Sequence, residues 1–133
     1  MPEFSKVSHI SFSVRDIGAS AKWYGKVLGF EPMEEVSGDG WHGIVLLHPT
    51  NAAVIEFQQH DANGGEKFDP RRTGLDHLAL RVDTREELDE WMDHLHHHEV
   101  EHSQITDREY GSVLPFKDPD GIQIEAFYRE NHP

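Results

Sequence analysis

The stretch Gly74 to Val82, G-L-D-H-L-A-L-R-V, alternates strictly. Leu78, Leu80 and Val82 fall on one side and His77, Ala79 and Arg81 on the other, the period of two expected of a strand buried on one face. The imidazole of His77 thus points away from the apolar side. A lone histidine in that setting is most often a hydrogen-bonded structural residue. Here the pattern occurs twice, which changes its meaning.

The second copy is Val7 to Val14, V-S-H-I-S-F-S-V, with Ile10, Phe12 and Val14 on one face and His9, Ser11 and Ser13 on the other. Each copy leads into a helix. After the first, Asp16 is placed to cap a helix carrying Ile17, Tyr24, Val27 and Leu28, which Gly29 ends. After the second, Thr84 and Glu87 have capping-box spacing, and Leu88, Trp91, Met92 and Leu95 recur at helical period. The aromatic residues of both helices read as core.

Strands follow each helix. Phe30 begins an extended segment, Ser37 to Gly40 is a turn, and Trp41–Leu47 and Ala52–Gln59 read as strands joined through Pro49-Thr50-Asn51. Glu56 stands in the last of these, sharing a face with Val54 and Gln58. In the second half, Ser112–Lys117 and Gly121–Tyr128 are strands flanking the tight turn Asp118-Pro119-Asp120-Gly121. Gln123, Glu125 and Phe127 share one face there, and Ile122 and Ile124 the other. Asp61–Thr73 is polar and reads as a linker.

The repetition is quantitative. His77 follows His9 by 68 residues (77 − 9), and Glu125 follows Glu56 by 69 (125 − 56). The expected fold is α+β: two tandem βαβββ modules, about 6–60 and 74–128, forming curved mixed sheets around a metal cleft within one domain spanning 1–133. His9, Glu56, His77 and Glu125 are the expected metal ligands. Two nitrogens and two carboxylates suit one divalent first-row ion (Ni, Zn, Co, Mn or Fe) with positions left for water or substrate. Glu125 and Glu56 are also the candidate catalytic groups. Arg81, Ser11, Ser13, Gln123 and Phe127, on the same faces as the ligands, are candidate substrate contacts. The run His94, His96, His97, His98, with His102 nearby, reads as a helix end where protonated histidine favours the dipole.

Composition narrows the classes. With 133 residues, 36% of them hydrophobic and 28% charged, the chain has the material for a packed core. Twelve basic residues against 25 acidic ones give a net charge of −13, which disfavours nucleic acid and anionic membrane surfaces as partners. There are no cysteines, so a metal must be held by nitrogen and oxygen. Neither a signal-like start nor a membrane-length apolar run is apparent, and a cytoplasmic location is expected.

The chain resembles the vicinal oxygen chelate superfamily, which includes glyoxalase I, extradiol dioxygenases, fosfomycin-resistance enzymes, methylmalonyl-CoA epimerase and bleomycin-binding proteins. The resemblance runs from Lys6 to Tyr128 and rests on V-S-H-I-S-F-S-V-R-D, W-Y-G-K-V-L-G-F, A-V-I-E-F, G-L-D-H-L-A-L-R-V and D-P-D-G-I-Q-I-E. The order His9, Glu56, His77, Glu125 is most similar to bacterial glyoxalase I. That likeness implies a homodimer with metal sites at the interface, each built from half-sites of two chains. It also implies a lyase or isomerase acting on a small chelating substrate through an enediolate-type intermediate, with Glu125 matching the base. Ser13 and His60 stand where glutathione-dependent relatives carry arginine and asparagine, which argues against glutathione as the thiol. Two alternatives stay open: an extradiol-type dioxygenase using His9, His77 and Glu125, and a drug- or metabolite-binding protein without catalysis.

Overall fold

The computed structural model describes residues 1–133, which divide into two compact units, Met1–Glu66 and Lys67–Pro133. Each unit is a βαβββ module with a four-stranded mixed sheet. The first contains β1 (Ile10–Ser13), α1 (Ile17–Leu28), β2 (Glu31–Gly38), β3 (Trp41–Leu47) and β4 (Val54–His60), in sheet order β1-β4-β3-β2. The second contains β5 (His77–Arg81), α2 (Glu86–His97), β6 (Thr106–Arg108), β7 (Gly111–Lys117) and β8 (Gln123–Tyr128), in order β5-β8-β7-β6. The expected α+β architecture of tandem βαβββ modules is therefore present.

In both modules the opening strand pairs in parallel with the last strand, and the remaining neighbours are antiparallel. The helix carries the chain from the opening strand to the far edge of the sheet, and two antiparallel steps then bring the last strand back beside the first. In the first unit, α1 packs against β4, β3 and β2. The buried side chains Phe12, Tyr24, Val27, Leu46, Ile55 and Phe57 are at most 4% exposed and form its core. In the second, α2 meets β8 and β7, and Leu88, Leu95, Leu114, Phe116 and Ile124 are at most 1% exposed. Burying each such side chain is worth about 1.5–3 kcal/mol. Each helix thus covers the face opposite to the one bearing histidine and glutamate.

Local signals place the helix ends. The Asp16 carboxylate accepts from the Ala19 amide at 3.0 Å, and Gly29 closes α1 in the left-handed conformation at φ 79°. At the start of α2, the Glu87 amide donates to Thr84 Oγ1 at 3.3 Å while Glu87 Oε2 accepts from the Thr84 amide at 3.0 Å. The capping box expected from the spacing is formed. Asp16→Ala is expected to cost about 1 kcal/mol, within a range of about 0.5–2. A urea titration followed by circular dichroism checks this; an unchanged midpoint would mean the cap contributes nothing.

Two strands are less obvious in the sequence. β6 has only three residues, Thr106–Arg108, and no apolar alternation. β2 reads E-P-M-E-E-V-S-G and has a register shift between Pro32 and Glu34. Both are sheet edges, and short length, charge, proline and bulges are how edges avoid pairing with other chains. The Arg85 guanidinium in turn holds Asp107 of β6 at 2.8 Å, and that hydrogen bond, with one from Ser112, keeps the Asp107 carboxyl below the usual aspartate range.

Candidate metal centre

Strand register sets the positions of the four expected ligands. In the parallel pair β1–β4, Ser11 lies opposite Glu56; in β5–β8, Ala79 lies opposite Glu125. Histidine precedes each of those partners by two residues (11 − 9 and 79 − 77). The end of the pairing also repeats. The Val14 amide donates to the Gln58 carbonyl and the Val82 amide to the Phe127 carbonyl, both at 2.9 Å. His9 itself sits one residue before the hydrogen-bonded strand, whereas His77 opens its strand.

The side chains follow the same plan. His9 Nε2 lies 4.0 Å from Glu56 Oε2, and His77 Nε2 lies 3.6 Å from Glu125 Oε2. Both imidazoles are about half exposed, at 51% and 41%, over carboxylates that are only 11% and 14% exposed. The second carboxylate oxygen is held in each case by a glutamine two residues away. Gln58 Nε2 donates to Glu56 Oε1 at 3.0 Å, and Gln123 Nε2 donates to Glu125 Oε1 at 2.8 Å. Each glutamate therefore keeps one oxygen anchored and turns the other toward an imidazole nitrogen.

Each pair offers one nitrogen and one oxygen donor of the kinds a divalent ion takes. Two donors each about 2.1 Å from one cation lie roughly 3.0–3.4 Å apart at octahedral or tetrahedral angles. The observed separations, 3.6 and 4.0 Å, need only a small inward movement. The structure brings the residues together as two His–Glu pairs, one per unit, and no cluster of three or more His, Cys, Asp or Glu suited to a metal occurs in the chain. That holds for the histidine-rich end of α2 as well. There His94 packs edge-on against Trp91 and His98, at ring-centroid distances of 5.3 and 4.5 Å.

The expected substrate contacts occupy the same faces. Ser11, Ser13 and Arg81 are exposed, and Arg81 Nε is 3.6 Å from Asp83. The Gln123 amide is engaged by Glu125. Phe127, the next outward-facing residue after Glu125, carries Tyr110 stacked on its ring at 6.4 Å and 12°, and His132 edge-on at 5.9 Å. Tyr110 comes from the β6–β7 turn and lies outside the repeated pattern of the sequence. Its only local signal is the following Gly111 at φ 147°, where a Cβ would sit 2.4 Å from the Tyr128 carbonyl oxygen and 2.8 Å from the Phe127 ring. Ser8 and Asp76, which touch the two histidines, are likewise not singled out by the repeat.

Duplicated βαβββ modules, each presenting a His–Glu pair on the sheet face away from its helix, define the class. The chain belongs to the Glyoxalase/Bleomycin resistance protein/Dioxygenase superfamily, whose family model matches residues 6–126. No curated protein matches it in sequence. Among solved structures, a glyoxylase/bleomycin resistance protein/dioxygenase domain from Frankia sp. EAN1pec is 32% identical with a TM-score of 0.87, over 98% of this chain and 96% of that one. The antibiotic binding protein TnmS3 from Streptomyces sp. CB03234 shares the fold at 20% identity and a TM-score of 0.75, over 98% of this chain and 100% of that one. So does a mutant of the fosfomycin resistance protein FosX from Listeria monocytogenes, solved with Mn(II) and 1S,2S-dihydroxypropylphosphonic acid. It is 20% identical with a TM-score of 0.71, over 94% of this chain and 90% of that one. No helix is long and apolar enough to cross a membrane.

Proposed function

We propose that this protein is a metal-dependent, glyoxalase-like lyase or isomerase that works as a cytoplasmic homodimer on a small chelating substrate. The observation that carries this reading is the repeated pair: an imidazole Nε2 facing a carboxylate oxygen whose twin is anchored by glutamine, once in each module. A module with two donors is half of a four-donor site. His9 and Glu56 of one copy would complete His77 and Glu125 of another, so that the two units act as one functional domain.

A divalent ion held there supplies a Lewis-acid centre for the oxygens of a bidentate substrate. The chain's own residues do the rest. Glu125 takes a proton from a carbon beside a carbonyl and returns it to the neighbouring position, with Gln123 fixing the angle of the carboxylate. Glu56, fixed by Gln58 in the same way, is the matching group in the other module. Phe127 and Tyr110 offer an apolar wall one residue pair beyond Glu125. Ser11 and Ser13 present hydroxyls, and Arg81 a positive charge for an anionic substrate group. Ala79, opposite Glu125, places only a methyl group between His77 and Arg81 on that face.

The wider separation of the first pair favours one alternative: a dioxygenase-type site in which Glu56 lies outside the ligand set. Metal binding by Glu56→Gln separates the two readings. Expected are one ion per chain in the wild type and at least about a tenfold weaker affinity in the variant. Unchanged affinity would favour three ligands, and turnover of catechols under oxygen, rather than of methylglyoxal with a panel of thiols, would complete the case against the lyase.

A further inference from the structure

The two half-sites are alike in plan but unequal in how the imidazole is held. His77 Nδ1 lies 2.7 Å from Asp76 Oδ1. A carboxylate only accepts, so this nitrogen carries the proton, and the ring presents Nε2 toward Glu125. In the first module the corresponding partner is the Ser8 hydroxyl, 3.1 Å from His9 Nδ1. A hydroxyl donates or accepts equally well, so it selects neither tautomer, and its hydrogen bond carries no charge assistance. The remaining geometry grades the same way: 3.6 against 4.0 Å from imidazole to carboxylate, and 41% against 51% exposure of the ring.

From this asymmetry we infer that Asp76 is a positioning residue for the metal, and that it makes His77–Glu125 the half-site that contributes more to holding the ion. The inference rests on the metal-site reading proposed above. Asp76 is not itself a ligand, because it meets the ring on the nitrogen opposite the one that faces Glu125. Its effect is to fix the tautomer and orientation of the ring and to increase the electron density at Nε2. Outer partners of metal-bound histidines are worth roughly 10–100-fold in affinity.

The test is the dissociation constant of Ni(II) and of Mn(II), each added alone, measured by competition with a chromophoric chelator on the full chain. Asp76→Ala is expected to weaken binding about 10–100-fold, with Asp76→Glu recovering part of the loss. Ser8→Ala is expected to change affinity less than about threefold, and Ser8→Asp, which gives the first module the partner of the second, to tighten it. Because the Asp76 side chain is 65% exposed, its replacement leaves the core intact, and matching thermal midpoints establish this. Wild-type affinity in Asp76→Ala, or equal losses in Asp76→Ala and Ser8→Ala, would overturn the inference while leaving the metal site standing. A wild-type chain that binds neither ion would overturn both.

Discussion

Glu125→Gln is expected to lower kcat about 10²- to 10⁴-fold, the usual contribution of a positioned general base. The substitution is nearly isosteric. Gln123 can still donate to the remaining carbonyl oxygen at the position it now holds 2.8 Å away. What is lost is the basic oxygen that faces His77 Nε2 at 3.6 Å. The side chain lies on the sheet face opposite to Ile124 and Ala126, so the core does not register the change. Stopped-flow or steady-state turnover with the substrate found in the thiol and aldehyde panel, alongside thermal denaturation, measures both halves of the expectation. Full activity with an unaltered fold would remove Glu125 from the chemistry.

Phe57→Ala should produce the largest loss of stability, about 3–5 kcal/mol. Phe57 is fully buried, with its ring 4.7 Å from that of Tyr24 and 6.0 Å from that of Phe12. Tyr24 is itself 0% exposed and meets Phe30 as well, so the lost ring leaves a cavity among side chains with little freedom to collapse. Glu56 precedes Phe57 on β4, so the same cavity is expected to loosen the first half-site. Equilibrium urea unfolding gives the difference; a loss below about 1 kcal/mol would mean that this cluster does not organise the first module. Ser11→Ala, on the exposed face of β1, serves as the comparison within about 0.5 kcal/mol of wild type.

The alternation within Val7–Val14 and Gly74–Val82 makes the opening strands legible, since apolar and polar side chains fall on opposite faces: Phe12 and Val14 are buried and Leu78 and Leu80 half-buried, while His9, Ser11, His77 and Arg81 are exposed. The glycine and aspartate signals around both helices were legible for the same kind of reason: capping depends on neighbours in sequence. The pairing of histidine with glutamate within each unit was legible only as a repeated spacing. The offsets of 68 and 69 conceal compensating changes. The β3–β4 connection pairs Leu47 with Val54, while β7–β8 pairs Lys117 with Gln123, one residue shorter, and the preceding segment of the second module is longer. Register, not spacing, restores the match. Three polar residues at β6 carry no periodic signal, and the stacking of Tyr110 on Phe127 depends on a hairpin register that composition does not encode. Asp76 and Ser8 differ in chemistry at equivalent positions, so the repeat does not mark them.

In the proposed homodimer, each chain carries two half-sites that become whole only across a pair of copies. A chain lacking the first half-site, His9→Ala with Glu56→Gln, and a chain lacking the second, His77→Ala with Glu125→Gln, each retain one intact pair. Metal content is measured for each alone and after unfolding and refolding the two together. Each alone should hold no tightly bound ion, and the mixture should recover about a quarter of the wild-type sites, because half of randomly formed dimers are mixed and each of those contains one whole site. A mixture as empty as its components, under conditions where the wild type refolds with its metal, would mean that no site is shared between copies.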